Sequence, residues 1–368
     1  MRLRKKMAKK LSIIFMALWL TGCAPFTENN IIEELTPVTF LSLSRGDEGK
    51  IKISTILPSL SKEKKSVVTQ EVSLIKEVLR SFNLNFYQEM KFGQMRMLII
   101  NEDLGRNEGI MSIINVLLTD PDISLRIYLV IVKGNFEEYL ENQLDKQENL
   151  DYSFYRMLKH YEEKNQGELS VVNLHEFKKL LYTSYSDPFL PVFKIENDAI
   201  RYEGTALFQN DKLVEIITTF DDRIFQLLHN DHYLAVLPIP ELQVVLGHVR
   251  SKTKVDINKS LSTMTYTVNI DSRIEEYRGE KQLFDPKDLE DFKKDIQSNL
   301  EKQTQELVKK MQELNVDPLQ LGIHTLKPFS KPMDEKKWIE LYKKMDIKIK
   351  YNININPLTD ANSKRQNL

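Results

Sequence analysis

Apolar and polar positions along this chain repeat with two different periods, and the switches between them outline its elements. "LTPVTFLSLS" and "KIKISTIL" flank the turn "RGDEG", where Gly46 and Gly49 give the backbone freedom, which predicts a β-hairpin. In "SVVTQEVSLIKEVLRSFNLN", Val68, Val72, Ile75, Leu79 and Phe82 fall three or four apart, the spacing of an amphipathic helix. "QMRMLIIN" and "LRIYLVIVKG" are dense enough in apolar residues for strands buried on both faces. Between them, "EGIMSIINVLLTDP" predicts a helix stopped by Asp120-Pro121. A strand, a helix and a strand with short joints imply parallel pairing and an α/β layer. Residues 135–182 are predicted mostly helical, in "NFEEYLENQL", "YSFYRMLKHYEEK" and "NLHEFKKLLYTS".

The period changes after "SDPFLPVFKIEND", whose two prolines and polar flanks predict a linker. Two short strands around an Asn210-Asp211 turn follow, then a short helix over 221–228. "KVDINKSLSTMTYTVNIDSRIEEY" alternates over a long span and predicts antiparallel strands. A helix of about 25 residues opens at Asp285-Pro286. Its apolar stripe is Leu289, Phe292, Ile296, Leu300, Leu307, Met311 and Leu314, and Asp317-Pro318 is expected to end it. A short helix around Trp338 leads to "MDIKIKYNININP", a final alternating strand. The expected organisation is a lead segment over 1–22, a tether over 23–34, α/β regions over 35–195 and 196–357, and a polar tail over 358–368.

The lead segment changes the picture most. Arg2, Arg4, Lys5, Lys6, Lys9 and Lys10 precede "LSIIFMALWL", a basic region followed by a short apolar one, the layout of a secretory signal. Ten helical residues rise about 15 Å, too little for a hydrocarbon core of roughly 30 Å. Leu20-Thr21-Gly22-Cys23 then has the form of a bacterial lipobox, with an aliphatic residue, two small ones and the only cysteine of the chain. Cleavage between Gly22 and Cys23 and lipid attachment to the Cys23 thiol are expected, and the rival reading is an ordinary signal with a chance cysteine. Lipidation consumes the single thiol, so no disulfide contributes to stability.

Without residues 1–22 the chain loses six of its 52 basic residues and none of its 53 acids, for a formal balance of −7. That balance gives nucleic acid binding no global support. "SKEKKS" at 61–66 is a basic loop that either touches anionic lipid or is plain surface.

The order of pieces resembles the Ger(x)C family, the C-subunit lipoproteins of spore germinant receptors. "KFGQMRMLIINEDLGRNEGIMSIINVLLTDPDISLRIYLVIVKG" is similar to the family's strand, acidic turn, helix and strand ending in glycine. Gly204-Thr205-Ala206, Phe208 and Asp211-Lys212-Leu213-Val214 match its central core motif. The long helix with Gln312, then Asp317-Pro318 and a glycine, and the ending from Trp338 into an alternating strand also fit. Ala24-Pro25-Phe26 departs from the Trp-Asp pair common after the family's lipid cysteine. The resemblance implies an α/β (α+β) body of about three small mixed domains, each a sheet flanked by helices, anchored by lipid on the outer face of the spore inner membrane. It also implies two integral membrane partners, an A-type and a B-type subunit.

The residues nominate no catalytic, cofactor-binding or metal site. His229 and His232 stand three apart near Asp221 and Asp222, a spacing open to metal, but a third ligand is not evident and they are read as surface groups. Carboxylate pairs such as Asp221-Asp222 and Glu275-Glu276 are read as solvated faces. The sequence contains no GxSxG, P-loop or GxGxxG motif. Three functions follow: a non-enzymatic receptor subunit, a solute-binding lipoprotein capturing a small-molecule germinant, and an envelope hydrolase, for which the chain offers no nucleophile or metal constellation.

Overall fold

The computed structural model describes residues 35–57, 65–85, 89–144, 146, 150–164, 166–229, 233–326 and 333–356. The lipobox, Gly22 and Cys23 lie outside the described residues.

The chain opens with β1 (Leu35–Pro37), β2 (Phe40–Arg45), β3 (Ile51–Leu57), β4 (Ser66–Val72), α1 (Glu77–Asn85) and β5 (Glu89–Lys91). It continues through β6 (Met97–Asn101), α2 (Glu102–Asn107), α3 (Met111–Thr119), β7 (Tyr128–Lys133), α4 (Phe136–Leu144), α5 (Leu150–Glu163) and α6 (Leu174–Tyr182). Then come β8 (Phe189–Glu196), β9 (Ala199–Gln209), β10 (Lys212–Thr218) and α7 (Thr219–His229). Eight strands form one sheet in the order β10-β9-β8-β7-β6-β2-β3-β4. Its centre, β2, β6, β7 and β8, is parallel, and an antiparallel hairpin closes each flank. The pairing of β6 with β7 is the parallel register that the strand, helix and strand pattern predicts. Helices cover both faces, as buried parallel strands require. Phe136, Tyr139, Leu140, Phe154 and Leu158 of α4 and α5 pack on one face, and α3, α6 and α7 bring Ile113, Ile114, Leu117, Phe177, Leu180 and Phe225 to the other. β1 and β5 form a separate parallel pair.

The second sheet is built from β11 (Tyr233–Ile239), β12 (Val244–Ile257), β13 (Thr263–Tyr277), α8 (Pro286–Leu314), α9 (Glu335–Lys344) and β14 (Asp346–Asn356), with strand order β11-β12-β13-β14. β13 alternates buried and open residues along its length, so one face meets helix and the other faces water. Asp285 caps α8 by accepting from the N–H groups of Lys287 and Asp288, with Pro286 at the first helical position. The α8 stripe of Phe292, Ile296, Leu300, Leu307 and Met311 covers the sheet, and Thr304 and the Tyr351 hydroxyl are bonded at 2.7 Å inside it. The face of the larger sheet covered by α3, α6 and α7 shares one core with the second sheet, and its other face has a core of its own.

Three expectations are corrected. The helix predicted over 66–85 is a strand through Val72 and a helix only from Glu77. β-branched Val67, Val68, Thr69 and Val72 favour the pleated surface, and β4 pairs residue for residue with β3. The predicted linker over 186–198 is mostly β8, with Phe189–Phe193 buried. Pro191 is tolerated because β7 pairs with β8 only from Val192 onward, leaving the proline a ladder on one side. Finally, α8 stops at Leu314, three residues before the predicted Asp317 break, because Asn315 takes a left-handed conformation that asparagine tolerates.

Candidate functional site at the seam of the two sheets

The most concentrated buried chemistry lies where the eight-stranded sheet meets the long helix. Asp187, just before β8, turns inward: one carboxylate oxygen accepts from the Asp317 N–H at 2.7 Å and the other from the Asn210 N–H at 3.2 Å. Asp317, beyond the α8 cap, is 3% exposed and accepts from the N–H groups of Leu321 and Gly322, both at 2.8 Å. Each carboxylate thus ties down a chain reversal that would otherwise bury orphan donors. Trp338 and Tyr342 of α9 wall the seam, with their rings stacked at 5.4 Å. The Tyr185 ring meets Trp338 edge-on, and its hydroxyl donates to the Met333 carbonyl. Tyr185 itself sits at φ 68°, a costly position for a bulky residue. Gly322 fits because an added Cβ would fall 2.3 Å from the Tyr185 Cβ and 2.7 Å from the Trp338 ring.

These groups enclose a cavity of about 50 Å³. Its lining includes Ser186, Asn315 and Tyr342, whose Oγ, Oδ1 and hydroxyl are buried without protein partners. Roughly one or two water molecules fit such a polar volume. Among the described residues no lysine or arginine lines it, while Glu335 does. Burial drives the Asp317 carboxyl up to about 7, against the lowering effect of the Gly322 and Leu321 N–H groups, and the neighbouring Asp187 charge adds to the rise. Asp187 is also raised, first by burial. The seam is therefore a polar joint with a group that titrates near neutrality, not a constellation with a nucleophile and base in register.

The stability consequence has a definite sign. A carboxyl raised from 3.8 in the unfolded chain to about 7 in the fold binds more protons folded than unfolded, so stability falls as pH rises across that window. The full contribution is on the order of 4 kcal/mol. The wild-type Tm, followed by calorimetry from pH 4.5 to 8.5, is expected to drop toward the alkaline end, and Asp317→Asn to remove most of that slope. Parallel curves for the two proteins would refute the assignment.

Residues 28–195 match the family described as Spore germination protein N-terminal domain, and residues 203–357 match Spore germination B3/GerAC like, C-terminal. The chain belongs to the Ger(x)C family. This is the family of germinant receptor C subunits in spore germination. Among its relatives, the Spore germination protein GerQC of Bacillus cereus is 21% identical over 360 residues, covering 95% of this chain and 98% of its own. The crystal structure of the GerBC protein has the same fold, with a TM-score of 0.52 at 14% identity over 86% of this chain and 96% of that one.

Of the Ger(x)C motifs noted in the sequence, those from the long helix onward converge on this seam: Asp317, Gly322 and Trp338 meet there, and Gln312 bonds the Tyr342 and Met345 carbonyls at 2.6 and 3.0 Å. Asp187 escaped notice because it sits in the stretch taken for a linker. His229 ends α7 and stacks on Phe225 at 5.4 Å, with Phe189 edge-on at 4.4 Å. Its neighbours through His232 lie outside the described residues. Among the described residues no group of three or more His, Cys, Asp or Glu side chains is arranged to hold a metal. The Asp221-Asp222 pair is not a uniformly solvated face, as expected from sequence. Asp222 is 2% exposed, accepting from Thr205 at 2.8 Å and Tyr202 at 3.0 Å, because the first turn of α7 faces β9. Burial raises its carboxyl, and those hydroxyls partly offset the rise.

Proposed function

We propose that this protein is the lipid-tethered C subunit of a nutrient germinant receptor, working without catalysis beside an A-type and a B-type integral membrane subunit. The observation that carries this reading is the paired family match, which spans both halves of the chain in order. The lipobox Leu20-Thr21-Gly22-Cys23 supports a tether on the outer face of the spore inner membrane. Among the described residues no helix is long and apolar enough to cross a membrane. In this reading lipid supplies the attachment: two acyl signals make it persistent where a single chain is marginal.

Residues 35–195 and 196–357 act as two regions joined through the shared eight-stranded sheet. The body's work is associative. Confinement to the membrane plane raises its effective concentration near the other subunits, and the α/β body holds them in a signalling-competent assembly. Nothing in this role calls for nucleic acid, a metal or a cofactor.

A second reading, capture of a small-molecule germinant, is favoured by one feature. A cleft of about 460 Å³ opens at the carboxyl ends of β2, β6 and β7, where ligands settle in α/β sheets. It is lined by charges of both signs, including Arg45, Lys52, Glu102 and Asp103.

Affinity isolation of the protein from spore membranes in mild detergent tests the first reading. Two multi-span subunits are expected to co-purify at near-equal amounts. Recovery of the protein alone, with those subunits present in the starting membranes, would refute the assembly role.

A further inference from the structure

We infer that the end of the eight-stranded sheet that carries residue 35 is a lipid-facing surface, in which tyrosine-stacked arginines engage anionic headgroups. The inference rests on the Cys23 tether proposed above.

The backbone fixes which end this is. Leu35 pairs with Glu89, and the Val38 N–H donates to the Lys91 carbonyl at 3.0 Å. Thr39 accepts from the Arg96 N–H at 2.8 Å, and Arg96 accepts from the Tyr128 N–H at 2.9 Å. The chain thus enters from its tether at the amino ends of β2, β6 and β7, opposite the cleft at their carboxyl ends. Twelve residues separate Cys23 from Leu35, a reach of about 40 Å when fully extended. A tether of that length holds Leu35 within about 40 Å of the anchored sulfur.

That end is furnished for an interface. The Arg96 guanidinium lies 4.9 Å from the Tyr155 ring and 5.9 Å from Tyr152, and Arg156 lies 5.6 Å from Tyr152. Tyr152 is 47% exposed, and Leu84, at the end of α1 just before β5, is 76% exposed. Of the neighbouring acids, Glu163 pairs with Lys159 and Glu89 with Lys91, while Glu162 accepts from the Tyr128 hydroxyl and keeps its charge. Neither Arg96 nor Arg156 has a carboxylate partner among the described residues. Tyrosine and arginine with an apolar neighbour form an amphipathic set suited to the headgroup layer, where the ring and guanidinium each keep one side dry and one wet. Each arginine near an anionic surface strengthens binding roughly fivefold. A phosphate oxygen meets an arginine that needs no internal ion pair broken first.

The test uses the native lipidated protein in nanodiscs of phosphatidylcholine alone or with phosphatidylglycerol. If lipid occupies Cys23, a cysteine introduced as Ser153→Cys beside Tyr152 labels uniquely with a fluorophore quenched by headgroup-brominated lipid. Quenching is expected to at least double with phosphatidylglycerol and to fall clearly toward the neutral-lipid level in Arg156→Gln, whose arginine is exposed and dispensable to the core. The label at Asn107→Cys, at the opposite ends of the strands, is expected to stay unquenched. An anchored protein whose Ser153 label is unquenched, or is quenched no more than Asn107, overturns this surface while leaving the tether intact. That result would also be expected if the patch docks on a protein subunit instead. A protein that fails to associate with nanodiscs, with a bare Cys23 thiol by mass, overturns the tether and this inference together.

Discussion

Cys23→Ala protein is expected to leave the membrane fraction of spores and to lower the germination rate through its receptor at least tenfold. The size of the effect follows from the anchor. If Cys23 carries the lipid, removing the thiol removes the chemistry that adds the acyl chains, which contribute roughly 0.8 kcal/mol per buried CH₂. Among the described residues no helix substitutes for them by crossing the bilayer. The basic-aromatic end of the sheet offers only a few charges, too weak an attachment at physiological salt on its own. Losing confinement to a plane lowers the effective concentration at the other subunits by a factor on the order of 10²–10⁴. Fractionation of spores by immunoblot, alongside germination on the cognate nutrient, reads both effects. Full retention and a full response in the variant would refute a role for the tether.

The second large effect is structural. Gly204→Ala is expected to lower Tm by about 6 °C or to prevent folding at 37 °C. A Cβ at this position would lie 2.0 Å from the Ile217 carbonyl oxygen and 3.0 Å from the Thr218 Cα. Those are backbone atoms of β10, so relief requires separating β9 from β10 where Gly204 pairs with Thr218. Overpacking against movable side chains costs about 1–3 kcal/mol. A clash with a hydrogen-bonded strand exceeds that, and about 4 kcal/mol corresponds to roughly 6 °C in a chain of this size. Ala206→Gly, two residues along the same strand, is the control and is expected to cost only about 2 kcal/mol, from chain entropy and one lost buried methyl. Equal melting temperatures for Gly204→Ala and wild type would show that the hairpin has room the geometry denies.

Much of this architecture was legible in the chain. Asp285-Pro286 announced the start of α8 because a capping side chain and a proline at the first position act locally. β6, α3 and β7 were readable because buried parallel strands are long apolar runs bounded by polar joints. Local signals failed where tertiary partners decide. Val68, Val72, Ile75 and Phe82 keep helical spacing, yet β3 supplies a ladder that captures the first two as strand. Pro191 looked like punctuation, and only the late start of β7 pairing makes it admissible. Asp187 and Asp317 are 130 residues apart, and their contact depends on both sheets being in place. Asp222 looked like one of many surface acids until the fold turned it onto Thr205. The family resemblance supplied Asp317, Gly322 and Trp338 as separate marks, and the fold joined them into one seam.

How the protein is held at the membrane is tested most directly by the mass of its amino-terminal peptide, taken from protein isolated from spore membranes. A peptide beginning at position 23 and carrying a diacylglyceryl-modified sulfur is the predicted result. A free thiol at Cys23, or a peptide that still contains residues 1–22, would contradict it.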